Sequence, residues 1–244
     1  MISEHVFKRM SQSLNQRILA TAVKADFRKV EAASIKMQVQ FASVDTKRIF
    51  VRCFSSVQLN SNFISNIAPH RLQRELIEQV ESSIKAECQS IKQLLDKTID
   101  WAEVLFKQHG ITTPASYDIE PFILEVGVIT SIGRHYLEIL GKLDQLMPLL
   151  QTLEILEIAS SRELDQKRKV VKRRVRAVAS STRNFALGLR KRMRDAYPEE
   201  NDASAAITSA DPLIEGEVLT GAHDLPDADC ANEHQEHPET KGGG

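Results

Sequence analysis

The chain has 244 residues, 42% hydrophobic and 27% charged, which is enough to bury a core in one or two domains. Aromatic residues make up only 5%, and glycine and proline are sparse, so the composition favours a helix-rich fold over a β-sandwich or barrel. Cys53, Cys88 and Cys230 are too few and too scattered for a disulfide framework or a zinc site of paired CxxC motifs. No apolar run reaches the roughly 18–20 residues of a membrane span, so the sequence predicts a cytoplasmic protein without a membrane partner.

The charge of the chain is divided unevenly along its length. Residues 1–194 carry 31 basic and 20 acidic residues, whereas residues 195–244 carry 13 acidic residues against Lys241 alone. A split of this kind is typical of a body that binds polyanions and bears an acidic tail. We expect the tail, at 198–244, to be disordered, because its residues are mostly acidic or small.

In chain order, the first half is predicted to form a helical arm at 1–34 and a strand–helix–helix unit at 35–110. The unit opens with a strand at 35–43, whose apolar and polar side chains alternate with the period of 2 that a half-buried strand requires. The polar face of this strand carries amide and ammonium groups and no carboxylate. Its residues are Lys36, Gln38 and Gln40.

Two helices complete this predicted unit. Asp45 is a suitable N-cap for a short helix, and a polar connection follows at 60–66. Pro69 then occupies the favoured first turn of a long amphipathic helix, which Gly110 ends.

The second half, 111–197, is predicted to contain a strand at 122–130, a helix from Ser131 that Pro148 kinks, and a basic helix at 162–196. Two segments contain similar residues at positions 87 apart, and each is predicted to form a strand, a polar cap and a helix. This similarity suggests a duplicated unit. These elements predict a mainly α fold with one or two short strands, consisting of a ribbon-helix-helix-like unit plus long helices.

The polar face of the first strand suits the reading of DNA bases. A two-stranded β-ribbon fits the major groove, where glutamine pairs bidentately with adenine and lysine donates to guanine. Lys36, Gln38 and Gln40 are therefore the candidate base-reading residues, and an ordinary amphipathic strand is the alternative. A single strand cannot form a ribbon, so its partner comes either from elsewhere in the chain or from a second copy; we expect a homodimer.

Basic residues near this strand are candidates for contacts to DNA phosphates. Lys47, Arg48 and Arg52 follow the strand on the first helix, where they would flank a ribbon lying in the groove. The order strand, helix, helix is that of a ribbon-helix-helix unit, although the connection between these helices is unusually long.

A second basic segment, QKRKVVKRRVRAV (166–178), has valines at helical spacing between its basic residues. Lysine and arginine without interleaved glutamate repel one another along a helix and form no i,i+4 ion pairs. The segment is interpreted as a phosphate-binding surface, as a binding site for the acidic tail, or as a solvated helix face. Its candidate phosphate-binding residues are Lys172, Arg173 and Arg176.

Signatures of catalysis and of cofactor binding are missing from the sequence. It contains no GxGxxG, Walker loop, GxSxG or HExxH motif. In the tail, His223, Cys230, His234 and His237 have a spacing that matches no familiar zinc site. The sequence therefore predicts that the protein is not an enzyme and has no catalytic residues. It also predicts that the protein binds no metal, no cofactor and no small-molecule substrate.

Three segments of the second half are LEVGVIT (124–130), LGKLDQLMPLLQTLEI (140–155) and RNFALGLRKRM (183–193), and they are preceded by MQVQF and TKRIFVR in the first half. Together these segments resemble the AcaB-like regulators of conjugative plasmids and integrating conjugative elements. The resemblance covers about three quarters of the chain. It implies a ribbon-helix-helix transcription factor that acts as a dimer on conjugation genes, with its base-contacting residues on the ribbon; the strand at 122–129 is the alternative reader.

The sequence thus predicts a nucleoid-associated regulator that binds double-stranded DNA through a dimeric β-ribbon. The alternative is a non-catalytic helical scaffold or accessory protein of a conjugative element, whose basic helix binds an acidic partner.

Overall fold

The computed structural model describes residues 14–16, 18–19 and 32–196, all within the unit that spans residues 1–201. This part of the chain is mainly α-helical with two short strands, which confirms the predicted fold class. Most of the predicted arm and the whole acidic tail lie outside the described residues. In chain order the elements are β1 (Ile35–Phe41), α1 (Val44–Asn62), α2 (Arg74–Gln108), β2 (Phe122–Val128), α3 (Ser131–Ile155) and α4 (Ser161–Ala196).

Each strand leads into its helix through a hydroxyl cap. The Ser43 hydroxyl accepts a hydrogen bond from the backbone N–H of Thr46 at 3.2 Å, and the Thr130 hydroxyl accepts one from Gly133 at 3.0 Å. These bonds satisfy N–H groups that the first helical turn leaves without partners. Ser43, and not Asp45 as predicted, is therefore the N-cap of α1. Asp45 lies in the first turn, where its negative charge favours the helix dipole.

The polar segment at 60–66, predicted as a connection between two helices, continues in helical conformation. After α1 the chain forms a π-helical turn at Phe63–Ile67 and a 3₁₀ turn at Ala68–His70. Helical backbone is tolerated here because the buried polar side chains have partners: Asn60 donates to the Ser56 carbonyl at 2.8 Å, and the Ser61 hydroxyl lies 2.8 Å from that of Thr130. The predicted start of the long helix at Pro69 is also wrong, because α2 begins at Arg74.

The two strands pair with each other to form an antiparallel ribbon within one chain. The register runs from Ile35 opposite Val128 to Phe41 opposite Phe122, with Gln38 opposite Glu125 at the centre. The expectation that the ribbon is shared by two copies is therefore wrong for this structure. The second strand comes from the same chain, which was the other possibility that the sequence allowed.

The described fold consists of two copies of a strand–helix–helix unit. Strand, first helix and second helix begin at residues 35, 44 and 74 and again at 122, 131 and 161, each 87 residues later. The central ribbon pair, Gln38 and Glu125, has the same offset, so a local pseudo-two-fold axis passes through the middle of the ribbon. The pseudo-two-fold axis relates α1 to α3 and α2 to α4. The packing follows this symmetry, because α1 packs against α4 and, in the equivalent contact, α3 packs against α2.

The hydrophobic core lies beneath the ribbon and between the four helices. Phe41, Phe122 and Val128 are buried on the inner face of the ribbon, and the rings of Phe41 and Phe50 lie 5.2 Å apart. The central helix α3 is buried along most of its length. Among the described residues, no helix is both long enough and apolar enough to cross a lipid bilayer.

Candidate nucleic-acid interface

The outer face of the ribbon carries the three side chains that the sequence singled out. Lys36, Gln38 and Gln40 are exposed, whereas Met37 and Val39 between them pack against the core. Alternate residues of a strand point to opposite faces, so these three side chains form one row along β1. This row presents amide and ammonium groups to solvent, and such groups can bind base edges in the major groove.

The same face includes a second row of side chains from β2, which the pattern of a single strand does not reveal. Ile123, Glu125 and Gly127 lie opposite Gln40, Gln38 and Lys36 respectively. Glu125 places a carboxylate at the centre of the ribbon, so the assembled face is not free of acidic groups. In a major groove, a glutamate accepts a hydrogen bond from cytosine N4, and an apolar side chain contacts the thymine methyl group.

Gly127 leaves space for the ammonium group of Lys36. A Cβ atom added at Gly127 would lie 3.0 Å from the Ser34 hydroxyl oxygen and 3.5 Å from Lys36 Nζ. The Lys36 side chain therefore extends over the neighbouring strand. A larger residue at position 127 would displace Ser34 and crowd this ammonium group.

Two polar side chains on the helices fix the ends of the ribbon. Asp144 accepts hydrogen bonds from the backbone N–H groups of Ala42 and Ser43, at 2.9 and 2.8 Å. At the other end, the fully buried Gln58 donates to the Gly127 carbonyl at 2.8 Å. Neither residue was a predicted site. The sequence contains only weak indications of these roles: Asp144 is an acidic residue within the apolar run of α3, and Gln58 is a glutamine within α1.

Lys47 is not a surface residue, contrary to the prediction that it binds phosphate. Its side chain is 0% exposed, and Nζ donates to the Glu120 carbonyl at 2.9 Å and to the Asn15 side chain at 3.1 Å. Burial lowers the pKa of Lys47, although the carboxylates of Asp144 and Glu120 oppose this shift. Lys47 is therefore a structural residue that connects α1 to the segment before β2.

Arg48 and Arg52 are exposed, one turn apart on α1. Burial raises the pKa of the nearby Cys53 thiol, and the guanidinium groups of Arg176 and Arg52 partly oppose this shift. Arg52 and Arg176 therefore both lie near the same thiol. The structure thus brings together candidate phosphate-binding residues from two segments that are distant in the sequence.

The three candidates on α4 have different environments. The Lys172 ammonium lies 3.2 Å from the Asp45 carboxylate, which ties α4 to the start of α1. Arg173 is exposed, and Arg176 is exposed with its Nε donating to the Lys172 carbonyl at 3.3 Å. Lys172 is thus partly neutralised by an ion pair, whereas both arginines direct their charge to solvent.

These arginines belong to a longer basic surface on α4. Exposed residues recur every three or four positions along the helix, on the side opposite its buried residues, and we call them the α4 stripe. The α4 stripe extends over roughly 37 Å at 1.5 Å per residue. Its members are Lys169, Arg173, Arg176, Ser180, Arg183, Leu187, Lys191 and Arg194.

Metal-ligating side chains do not gather in the described part of the chain. Within those residues, no group of three histidine, cysteine, aspartate or glutamate side chains is arranged to hold an ion. The histidines and Cys230 of the tail lie outside the described residues.

Comparison with known proteins finds a similar fold in a solved structure. No protein-family model matches the chain, and no curated protein matches it. Among solved structures, AcaB from uropathogenic E. coli is similar, with a TM-score of 0.60 and 21% sequence identity over 75% of this chain and 91% of that one. At this level of identity the similarity shows the fold alone, so this chain has the fold seen in AcaB.

Proposed function

We propose that this chain is a sequence-specific DNA-binding transcriptional regulator that reads the major groove with its β1–β2 ribbon. The observation that carries the proposal is the exposed row of Lys36, Gln38 and Gln40 on a ribbon that is fixed at both ends. A two-stranded ribbon has the width of the major groove, and its outward side chains face the base edges. The apolar inner face keeps the ribbon attached to the helices.

The architecture supports a regulator of the ribbon-helix-helix type. Two strand–helix–helix units joined by an antiparallel ribbon have the arrangement of such a unit, here within one chain. The resemblance to AcaB-like regulators and the fold similarity to AcaB support a role in controlling genes of conjugative plasmids or integrating elements. On this proposal the protein is associated with the bacterial nucleoid.

Basic residues beside the end of β1 would hold the phosphates. Asp45, four residues after β1, pairs with Lys172, so α4 is attached where the ribbon meets α1. Arg48 follows Asp45 by about one turn on α1, Arg173 is next to Lys172 on α4, and both are exposed, as are Arg52 and Arg176 one turn further along these helices. Such contacts set the position of a protein on the duplex, while base contacts set its sequence preference.

Replacing Gln38 and Gln40 together with alanine should weaken binding to the preferred sequence by about 1–3 kcal/mol for each bidentate glutamine–adenine pair that the substitution removes. The preferred sequence is found by selection from random duplexes, and affinities are measured by fluorescence anisotropy. Binding to unrelated DNA should change little, because phosphate contacts dominate it. Stability should also change little, since both side chains are exposed.

The matched control replaces Gln89 and Gln93, which are exposed on α2, with alanine. This variant should bind like the parent protein. If sequence preference survives the ribbon substitutions unchanged, Gln38 and Gln40 do not read bases. The strand β2 would then be tested in the same way.

The α4 stripe favours one alternative, a helical scaffold that binds an acidic partner. On that alternative the stripe contacts an acidic protein, and DNA binding has no sequence preference. Selection from random duplexes separates the two proposals, because a scaffold would enrich no motif.

Deleting residues 199–244 should tighten non-specific DNA binding at low salt and steepen its dependence on salt. The segment carries 12 acidic residues on the same chain as the α4 stripe. A tethered polyanion is present at an effective concentration in roughly the millimolar range, so it competes with DNA phosphates. Anisotropy titrations at several salt concentrations measure the effect.

The control for this deletion is a tail of equal length in which every acidic residue is replaced by its amide. It should behave like the deletion, because the charge is removed while the length is kept. If neither variant changes affinity or salt slope, the tail does not compete for the basic surface.

A further inference from the structure

The two strands of the ribbon are equivalent by symmetry but different in chemistry. The offset of 87 residues relates Lys36 to Ile123, Gln38 to Glu125, and Gln40 to Gly127. One half of the outer face therefore carries an ammonium group and two amides. The other half carries an aliphatic side chain, a carboxylate and a bare backbone.

Such a ribbon cannot read two identical half-sites. In a ribbon made by two identical chains, equivalent positions carry the same residue, so the DNA site has the two-fold symmetry of the protein. Here lysine and glutamine favour guanine and adenine, whereas glutamate favours cytosine and isoleucine contacts thymine. The two halves of the face therefore prefer different bases.

The second helices of the two units, α2 and α4, differ in the same way. The helix α4 carries 13 basic and three acidic residues, whereas its equivalent α2 carries five basic and seven acidic residues. Of the six basic members of the α4 stripe, only Arg194 has a basic equivalent on α2. The equivalents are Ser82, Ala86, Gln89, Asp96, Val104 and Lys107.

We infer that one copy of this chain binds a single DNA site that lacks two-fold symmetry, in one fixed orientation. This inference rests on the proposed function. The ribbon is complete within one chain, so no second copy is needed to form the reading face. The α4 stripe is basic whereas the equivalent positions on α2 are mostly not, so only one of the two symmetry-related helices would hold phosphates, and this fixes the direction in which the protein lies on the duplex.

The test selects preferred sequences from random duplexes with the full chain, then measures the mass of the complex on a short duplex that contains the enriched motif. We expect a motif without two-fold symmetry and one chain per duplex. A palindromic motif bound by two chains would overturn the inference while leaving the proposed function intact. If no motif is enriched, the proposed function and the inference both fail.

A partly symmetrised ribbon gives a sharper test. The variant Ile123→Lys with Glu125→Gln copies two residues of β1 onto the equivalent positions of β2. Gly127 is left unchanged, because a Cβ atom there would lie 3.0 Å from the Ser34 hydroxyl oxygen. The motif enriched by this variant should become two-fold symmetric at its central positions. An unchanged motif would overturn the inference.

The matched control makes the same kinds of chemical change away from the ribbon. Val104 and Glu103 are both exposed on α2, so Val104→Lys with Glu103→Gln alters charge and polarity equally. Its motif should be that of the parent chain. Circular dichroism verifies that both variants keep the helical fold.

Discussion

Replacing Asp144 with alanine is expected to lower the free energy of unfolding by about 3 kcal/mol. Its carboxylate accepts two backbone hydrogen bonds, from Ala42 and Ser43, and hydrogen bonds to charged groups contribute about 1.5–3 kcal/mol each. The lower end of that range applies, because these bonds are only partly buried. The substitution also removes an opposing charge from the buried Lys47. Urea unfolding followed by circular dichroism measures the change.

Two further variants identify the cause of this destabilisation. Asp144→Asn keeps one acceptor oxygen without the charge, so it should lose less stability than the alanine variant. Asp118→Ala removes an exposed aspartate and should change stability by no more than about 0.5 kcal/mol. Equal effects of Asp144→Ala and Asp118→Ala would contradict the assigned role of Asp144 at the end of the ribbon.

The strands and the long helices were predictable because their patterns are local. The alternation in 35–43 identified β1 to within two residues of its end, and the three-to-four spacing identified α2 and α4. The spacing of the valines in 166–178 predicted an amphipathic helix, and Val171, Val175 and Val178 are buried. Local periodicity determines which face of an element is buried, and this is what the sequence displays directly.

The errors concern residues whose environment is made by distant segments. Lys47 was predicted at the surface because its partners, Glu120 and Asp144, are far away in the sequence. Glu125 was missed for a similar reason, since its place opposite Gln38 depends on the register between two strands. Such contacts follow from tertiary structure, and a pattern within one element does not contain them.

The helical course of 60–66 shows tertiary contacts overriding local preference. Asparagine and serine favour turns because their side chains compete for backbone hydrogen bonds. Here the Ser61 hydroxyl instead bonds to the Thr130 hydroxyl in the second unit. Asn60 bonds to the Ser56 carbonyl one turn earlier in the same helix, so its side chain is satisfied while the backbone remains helical. This is the reason why the predicted polar connection was wrong.

Reversing the charge of Arg173 and Arg176 to glutamate is expected to weaken non-specific DNA binding by roughly 60-fold or more at 0.1 M salt. The logarithm of affinity falls by about 0.9 per phosphate contact for each tenfold rise in salt, so two fewer phosphate contacts make the slope smaller by about 1.8. If the two affinities are taken as equal at about 1 M salt, where the electrostatic contribution is small, the variant binds about 10^1.8 or roughly 60-fold more weakly at 0.1 M. Repulsion between the new carboxylates and phosphates weakens binding further. Lys172 is left unchanged, because its ion pair with Asp45 connects α4 to α1.

The control reverses the same amount of charge on the equivalent helix. Lys97 and Lys107 are exposed on α2, so Lys97→Glu with Lys107→Glu changes the net charge equally. If Arg173 and Arg176 contact phosphates, the α4 variant should lose far more affinity than the α2 variant. The motif enriched by the α4 variant should stay that of the parent chain, since the ribbon still reads the bases. Equal reductions in affinity for the two variants would mean that net charge alone governs binding, and the phosphate contacts would then not lie on α4.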